Sequence, residues 1–166
     1  YDDLFGEDGI YVTGKEYDEW YLSGGSSEEA PTPNFEKSLE VGATAELLGE
    51  SGDVLNQAVG LRLQGASARR ERRKRLTIAS REEYSGSNTF QAALYEGIST
   101  HAVMLKSYFP DTLASRLVSN RSVSVQGSIP VKVFLNGEFL YNSYMLERYD
   151  KQYFRQHYNV DRFILV

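Results

Sequence analysis

The dipeptide Asn136-Gly137 constrains the fold of this chain more than any other feature of its sequence. It separates two strand-like runs, residues 130–135 and 138–146, which are rich in β-branched, aromatic and other apolar side chains. Asn-Gly between two such runs is the strongest short-range signal for a tight turn that joins antiparallel strands. We therefore expect an antiparallel hairpin near the end of the chain.

Strand-like and helical patterns share the rest of the chain. Further strand-like runs occupy residues 9–13, 38–48, 54–63, 75–80 and 101–109, and a last one begins at residue 163. Helical patterns occupy residues 16–22, 112–118 and 149–158. Strand-like runs joined by glycine-rich connections favour antiparallel pairing. The sequence thus predicts an α+β fold, with an antiparallel sheet and a few helices packed against it.

Charge divides the chain into an acidic beginning and a basic remainder. Residues 1–50 hold thirteen acidic residues against two lysines, a net charge of −11, whereas the rest holds 16 basic and 10 acidic residues, a net charge of +6. Residues 23–33 combine glycine, serine, proline and glutamate, which predicts a flexible surface loop. We therefore expect residues 1–34 to form an acidic extension with one strand and one flexible loop. Residues 35–166 are expected to form a domain that is truncated at its C-terminal end.

The composition excludes several classes of protein and site. The chain has no cysteine, which rules out a disulfide scaffold, thiolate zinc sites and cysteine nucleophiles. Its two histidines, His101 and His157, are too few for a histidine-rich metal site. The apolar runs are far shorter than the ~20 residues that a membrane-spanning helix needs, so we expect no membrane span.

Seven basic residues lie between positions 69 and 81, most of them in the loop that joins the runs 54–63 and 75–80. Small residues at 65–68 precede them, so that a ligand could approach the backbone N–H groups, which bind phosphate well. From the residues alone three interpretations stay open: a solvated hairpin edge, a nucleic-acid surface and a discrete phosphate site. Nucleic acid is the least favoured of these, because the acidic first 50 residues would repel it and no aromatic residues interleave the arginines.

Three segments, taken in order, resemble the spore coat protein H (CotH) family of atypical protein kinases. Residues 60–78 read GLRLQGASARRERRKRLTI, which is similar to the family signature G-I-R-x-R-G-N-S-S-R-x-x-x-K-K-S-x-R-L. Residues 130–150 read PVKVFLNGEFLYNSYMLERYD, which is similar to P-V-x-V-F-L-N-G-E-Y-x-G-x-Y-x-L-x-E-x-I-D. Residues 153–161 read YFRQHYNVD, similar to Y-I-x-x-H-Y-G-V-D, and residues 8–14 resemble the segment that leads into such domains.

This resemblance implies the nucleotide-binding N-terminal lobe of a protein-kinase-like fold. The implied activity is transfer of phosphate from ATP, with Mg²⁺ or Mn²⁺, to serine residues of partner proteins in a bacterial spore coat or at a cell surface. Lys74 occupies the position of the second signature lysine and is expected to contact the nucleotide phosphates, with Glu147 as its ion-pair partner. Arg62, Ser67 and Arg69 match the signature turn and are expected to line the phosphate side of the site.

The chain also departs from the family pattern. Ala66 and Ala68 replace two polar residues of the turn, and Tyr141 stands where the family prefers glycine. The metal-binding and catalytic carboxylates of the family belong to a later W-D-Y-D-like motif that this sequence lacks, so we identify no catalytic or metal-binding residue and expect this piece alone to be inactive. The alternative is a non-catalytic coat or surface module whose basic loop, residues 69–75, binds an acidic protein.

Overall fold

Six strands form one curled antiparallel sheet. The computed structural model describes residues 1–50, 52–95, 97–107, 109–162 and 164. Its strands are β1 (Glu40–Gly49), β2 (Gly52–Gln64), β3 (Arg75–Ala79), β4 (Ala102–Lys106), β5 (Ser128–Leu135) and β6 (Glu138–Glu147). They lie in the order β1-β2-β3-β4-β6-β5, and every neighbouring pair is antiparallel.

Short helices connect and flank these strands. The α-helices in the described part of the chain are α1 (Asp2–Phe5), α2 (Lys15–Leu22), α3 (Glu82–Ser85), α4 (Phe109–Val118) and α5 (Lys151–Tyr158). Three 3-10 helices span Ser27–Glu29, Asn34–Glu36 and Ser67–Arg70. Together with the sheet they confirm the predicted α+β class. None of these helices has the length and apolar character needed to cross a membrane.

The hairpin predicted at Asn136-Gly137 is confirmed. Both residues have positive φ angles, 49° and 84°, which is the backbone conformation that two-residue hairpin turns of type I′ require. The turn joins β5 to β6, with Leu135 opposite Glu138. The predicted runs 38–48, 54–63 and 75–80 likewise correspond to β1, β2 and β3, and the run 101–109 contains β4.

The hydrophobic core lies on the inner face of the curled sheet. Side chains alternate between the two faces of a strand, and the inward positions of the central strands are apolar and buried: Val59, Leu61, Leu76, Val103, Leu105 and Met145. Leu4 and Ile10 from the beginning of the chain, and Phe90, Leu94 and Tyr95 from the β3–β4 connection, complete the same cluster. The other face, which we call the outer face, carries Arg62, Thr77 and Leu146.

The strand predicted at residues 9–13 is wrong. This segment forms a turn after α1, because the N–H groups of Ile10 and Tyr11 donate to the carbonyl oxygens of Asp3 and Leu4, at 3.1 and 2.9 Å. Because these N–H groups already donate to carbonyl oxygens of the preceding segment, they cannot donate to a neighbouring strand. The division of the chain at residue 34 stays a prediction, as does the flexibility of residues 23–33. Of the run that begins at residue 163, only Ile164 lies within the described residues.

Candidate functional site

Lys74 closes the basic loop on itself. It is buried, and its ammonium group donates hydrogen bonds to the carbonyl oxygens of Arg69 and, at 3.4 Å, of Glu71. The same group lies 4.3 Å from the ring centroid of Phe35, at cation–π distance. Burial lowers the pKa of the Lys74 ammonium. Lys74 therefore stabilises the conformation of the loop through hydrogen bonds to its own backbone.

The other turn residues of the signature have different surroundings. Arg69 donates from Nη1 to the carbonyl oxygens of Glu36 and Lys37, at 2.9 and 3.3 Å, and so ties the loop to the 3-10 helix at 34–36. Ser67 is exposed at the start of the next 3-10 helix. Gly65, just before it, has a φ of +91°, a conformation that glycine adopts without strain.

Four of the six cations of the basic loop, residues 69–75, already have bonded partners, which are carbonyl oxygens for Arg69 and Lys74. Arg70 forms an ion pair with Glu36, and Arg75 lies 4.0 Å from Glu71. Within the described residues, only Arg72 and Arg73 of this loop are exposed and have neither a hydrogen bond nor an ion pair. The loop thus offers far less free positive charge than its composition suggests.

Glu147 ends β6 in a buried environment of its own. Its Oε1 lies 2.8 Å from Nε2 of His157 on α5, while its Oε2 is buried without a hydrogen-bond partner. The backbone of Glu147 also forms hydrogen bonds. Its N–H donates to the carbonyl oxygen of Gly127, and its carbonyl oxygen accepts from the side-chain amide of Gln126, both at 2.9 Å. Glu147 therefore anchors α5 to the end of the sheet.

The structure does not bring Lys74 and Glu147 together. Ile78 of β3 pairs with Val103 of β4, which pairs with Glu147 of β6, so Glu147 is level with Ile78 and two strands away. Lys74 lies four residues before Ile78. At the usual rise and strand spacing this separates the two Cα atoms by about 13 Å along the strands and about 10 Å across them. Their side chains face different partners at opposite ends of the sheet.

Arg62 occupies the outer face of the sheet, where one row of residues crosses several strands. Arg62 on β2 pairs with Thr77 on β3, and the row continues through Met104 to Leu146 on β6. Two more arginines, at the positions two residues beyond Ala79 and Leu146, lie near this row, because the charges of both act on Arg62. These positions are Arg81 and Arg148. We call Arg62, Arg81 and Arg148 the arginine cluster.

Glu40 is the carboxylate that faces this cluster from β1. It accepts two hydrogen bonds from Arg81, at 3.0 and 2.8 Å, in a bidentate ion pair. This bond, more than any other factor, lowers the pKa of the Glu40 carboxyl. The carboxylate lies so close over Gly60 that a Cβ atom there would overlap its oxygen and Cδ atoms. The glycine that opens the signature-like segment thus makes room for the partner of Arg81.

Asp150 holds the third arginine and the start of α5. Its Oδ2 lies 2.8 Å from Nε2 of His101 and 3.6 Å from Nε of Arg148. Its Oδ1 accepts hydrogen bonds from the N–H groups of Gln152 and Tyr153, as an N-cap does. Burial lowers the pKa of His101, and the charge of Arg148 acts in the same direction against Asp150. Asp150 is therefore shared among three groups.

Arg62 is the member of the cluster that lacks an acid of its own. In the described part of the chain its guanidinium has no hydrogen bond or ion pair, because Glu40 is engaged by Arg81 and Asp150 by His101 and Arg148. Burial lowers the pKa of Arg62, and so does the nearby charge of Arg148, while Glu40 raises it. Arginine nonetheless stays charged at neutral pH. The outer face therefore carries a partly buried positive charge that an anion can neutralise.

The sequence pointed to Arg62 and missed its two neighbours. Arg62 belongs to the predicted signature turn, whereas Arg81 and Arg148 join it only through the order of the strands. The position of Arg148 directly after Glu147 was the available signal, since it must face the opposite side of the sheet from Glu147. The predicted nucleotide contacts of Lys74, Glu147, Ser67 and Arg69 stay predictions.

Two further observations concern possible metal sites and similarity to known proteins. No group of three or more histidine, aspartate or glutamate side chains suitable for a metal ion occurs among the described residues. Comparisons with protein-family models, with curated proteins and with solved structures give no match.

Proposed function

We propose that this chain is the nucleotide-binding lobe of a CotH-like protein kinase, and that the phosphates of ATP bind on the outer face of the sheet beside Arg62 and Arg148. The observation that carries the proposal is geometric: in the described part of the chain Arg62 has no hydrogen bond or ion pair, because Glu40 is bound by Arg81 and Asp150 by His101 and Arg148. Partly buried guanidinium groups form strong, charge-assisted hydrogen bonds to phosphate.

The origin of these two arginines supports the nucleotide as ligand. Arg62 matches the arginine of the first signature, and Arg148 lies in the second signature-like segment at a position that the pattern leaves open; the two are far apart in the sequence and close in the fold. Both segments resemble a kinase family, which makes ATP a more specific candidate than an arbitrary anion.

The remaining signature residues support this site indirectly. Lys74 and Arg69 hold the loop between β2 and β3 in its shape, and Arg62 lies on the β2 strand that enters this loop. Glu147 fixes α5, whose N-cap Asp150 contacts Arg148. Since the described residues offer no cluster of metal ligands, we assign the metal ion and the phosphoryl transfer to serine to parts of a kinase outside this chain.

Calorimetric titration of the chain with ATP tests the proposal. Replacing Arg62 by glutamine removes the free charge but keeps a polar side chain, and we expect the affinity for ATP to fall about tenfold. Arg72→Gln is the matched control, because it removes one exposed charge from the basic loop, and its affinity should stay within about twofold of the parent. Circular dichroism and thermal melts verify that both variants are folded.

Two results would overturn the proposal. One is absence of ATP binding by the folded parent chain. The other is a loss of affinity in Arg72→Gln equal to that in Arg62→Gln, which would favour the alternative of a non-catalytic module that binds acidic partners through its basic loop. A competing titration with inorganic phosphate shows whether the site requires the nucleotide or only its phosphate groups.

A further inference from the structure

Helix α2 is an unusually exposed helix for its composition. It reads KEYDEWYL, and none of its eight residues is buried. Tyr21 and Leu22 at its end are 70% and 83% exposed. An aromatic, apolar helix end left in solvent is a typical feature of an interaction surface.

The same region carries a concentrated negative charge. Glu16, Asp18 and Glu19 lie exposed on α2, and Glu28 and Glu29 lie exposed on the 3-10 helix that follows. In the described part of the chain, Lys15 is the only lysine or arginine that pairs with one of these acids, at 4.0 Å from Glu19. We call α2 with Glu28 and Glu29 the acidic surface.

The basic loop lies near α2 in the same chain, through its residue Arg70. Gly14, the N-cap of α2, packs so tightly on the side chain of Asn34 that a Cβ atom would overlap it. Asn34 begins the 3-10 helix whose Glu36 pairs with Arg70. Arg72 and Arg73 follow two and three residues later. Tyr17 of α2 also lies near enough to act on the charge of Arg70, so α2 and the basic loop are linked through the 3-10 helix at 34–36.

Neighbouring surfaces of opposite charge are complementary to a second copy of themselves. A twofold axis between them places the acidic surface of one chain on the basic loop of the other, and the reverse, in an isologous interface. Tyr21 and Leu22 then lose their exposure to water, which adds a hydrophobic contribution to the charge pairs.

We propose that two copies of this chain associate through the acidic surface of one and Arg72 and Arg73 of the other. This interface does not involve the outer face of the sheet, so it is independent of the proposed nucleotide site. It also explains why an acidic and a basic part occur in one chain without neutralising each other completely.

Light scattering coupled to size-exclusion chromatography tests the association. At about 50 mM NaCl we expect twice the chain mass of 18.8 kDa, and at about 500 mM, where the screening length falls to roughly 4 Å, the mass of one chain. The basic-loop variant Arg72→Glu with Arg73→Glu, and the acidic-surface variant Glu16→Arg with Glu19→Arg, should each be monomeric at low salt.

A mixture of the two charge-reversed variants gives the sharpest result. Each variant alone places like charges opposite each other at the substituted positions, but together they restore both pairs of opposite charges, so the mixture should regain the dimer mass. The control variant Arg121→Glu with Lys132→Glu changes as much charge elsewhere on the exposed surface and should remain dimeric. The proposal is overturned if the parent is monomeric at low salt, if the control dissociates as well, if either charge-reversed variant stays dimeric alone, or if the mixture stays monomeric.

Discussion

The basic loop holds six cations and the arginine cluster three, and the two regions use them in different ways. In the loop, Lys74 and Arg69 are bound to backbone carbonyl oxygens and Arg70 to Glu36, so these charges stabilise the fold. On the outer face, Arg81 and Arg148 are bound to acids, while Arg62 has no hydrogen bond or ion pair in the described part of the chain. The loop therefore leaves only the exposed Arg72 and Arg73 without a partner, whereas the outer face holds a partly buried guanidinium without one.

This difference teaches that charge density in a sequence does not measure binding capacity. A cation that satisfies carbonyl oxygens in its own loop would have to give up those bonds to bind a ligand, and this loss offsets part of the binding free energy. A cation held on a sheet face without an acid has no such bonds to lose. Substitutions in the two regions should therefore change different properties of the protein.

Loss of the Lys74 ammonium should have the largest effect on stability. In Lys74→Met the stem still packs on Phe35, but the carbonyl oxygens of Arg69 and Glu71 lose their donor, and we expect the free energy of unfolding to fall by about 2 kcal/mol. Arg72→Met, its exposed counterpart in the same loop, should change it by less than about 0.5 kcal/mol. Urea denaturation measures both, and equal effects would contradict the structural role of Lys74.

A smaller effect is expected where Gly60 makes room for Glu40. A methyl group in Gly60→Ala displaces the carboxylate and weakens its bond to Arg81, so the free energy of unfolding should fall by about 1 kcal/mol. Gly42 is the direct cross-strand partner of Gly60, and a Cβ atom there would meet only the ring edge of Tyr84 at 3.3 Å. Gly42→Ala is thus the matched control, and it should be neutral or slightly stabilising. A Gly60→Ala variant that is as stable as the control would show that the Glu40 carboxylate can move aside and still bind Arg81.

The smallest effect concerns the pH dependence contributed by His101. Burial lowers the pKa of this histidine in the folded state, so the unfolded chain binds a proton more tightly. Its contribution to stability is present above the unfolded pKa of about 6.5 and is lost as the pH falls towards the folded pKa, with a slope of at most about 1.4 kcal/mol per pH unit. His101→Gln should flatten the decline of stability below pH ~6.5. Denaturation curves at several pH values measure it, and parallel profiles for both proteins would contradict this assignment.

The sequence predicted the strands far better than it predicted where they lie. Alternation of side chains and the Asn136-Gly137 turn act locally, and they placed β1, β2, β3, β5 and β6 close to their observed bounds. The segment 9–13 has the composition of a strand, but two of its backbone N–H groups donate to carbonyl oxygens of α1. The composition of those five residues does not indicate these hydrogen bonds. Local patterns thus settle the elements only where no neighbouring segment competes for the same hydrogen bonds.

The candidate site was only partly predictable for a related reason. Arg62 could be selected because a motif-like segment contains it, and the pairing of Lys74 with Glu147 was expected because both match signature positions. The strand order instead separates these two residues. Strand β4 lies between β3 and β6, and Lys74 and Glu147 lie at different levels of the sheet. Contacts between distant segments depend on the order and register of the strands, which cannot be read from local sequence patterns.

The most direct test of the different use of the two regions follows the arginine side chains individually during binding. Nuclear magnetic resonance of the arginine Nε–Hε groups, assigned by single Arg→Lys substitutions, reports which guanidinium groups meet the phosphates as ATP is added. We expect the Arg62 and Arg148 signals to shift with one common saturation curve while those of Arg72 and Arg73 stay in place. Saturable shifts of Arg72 and Arg73 with unchanged Arg62 and Arg148 signals would contradict it.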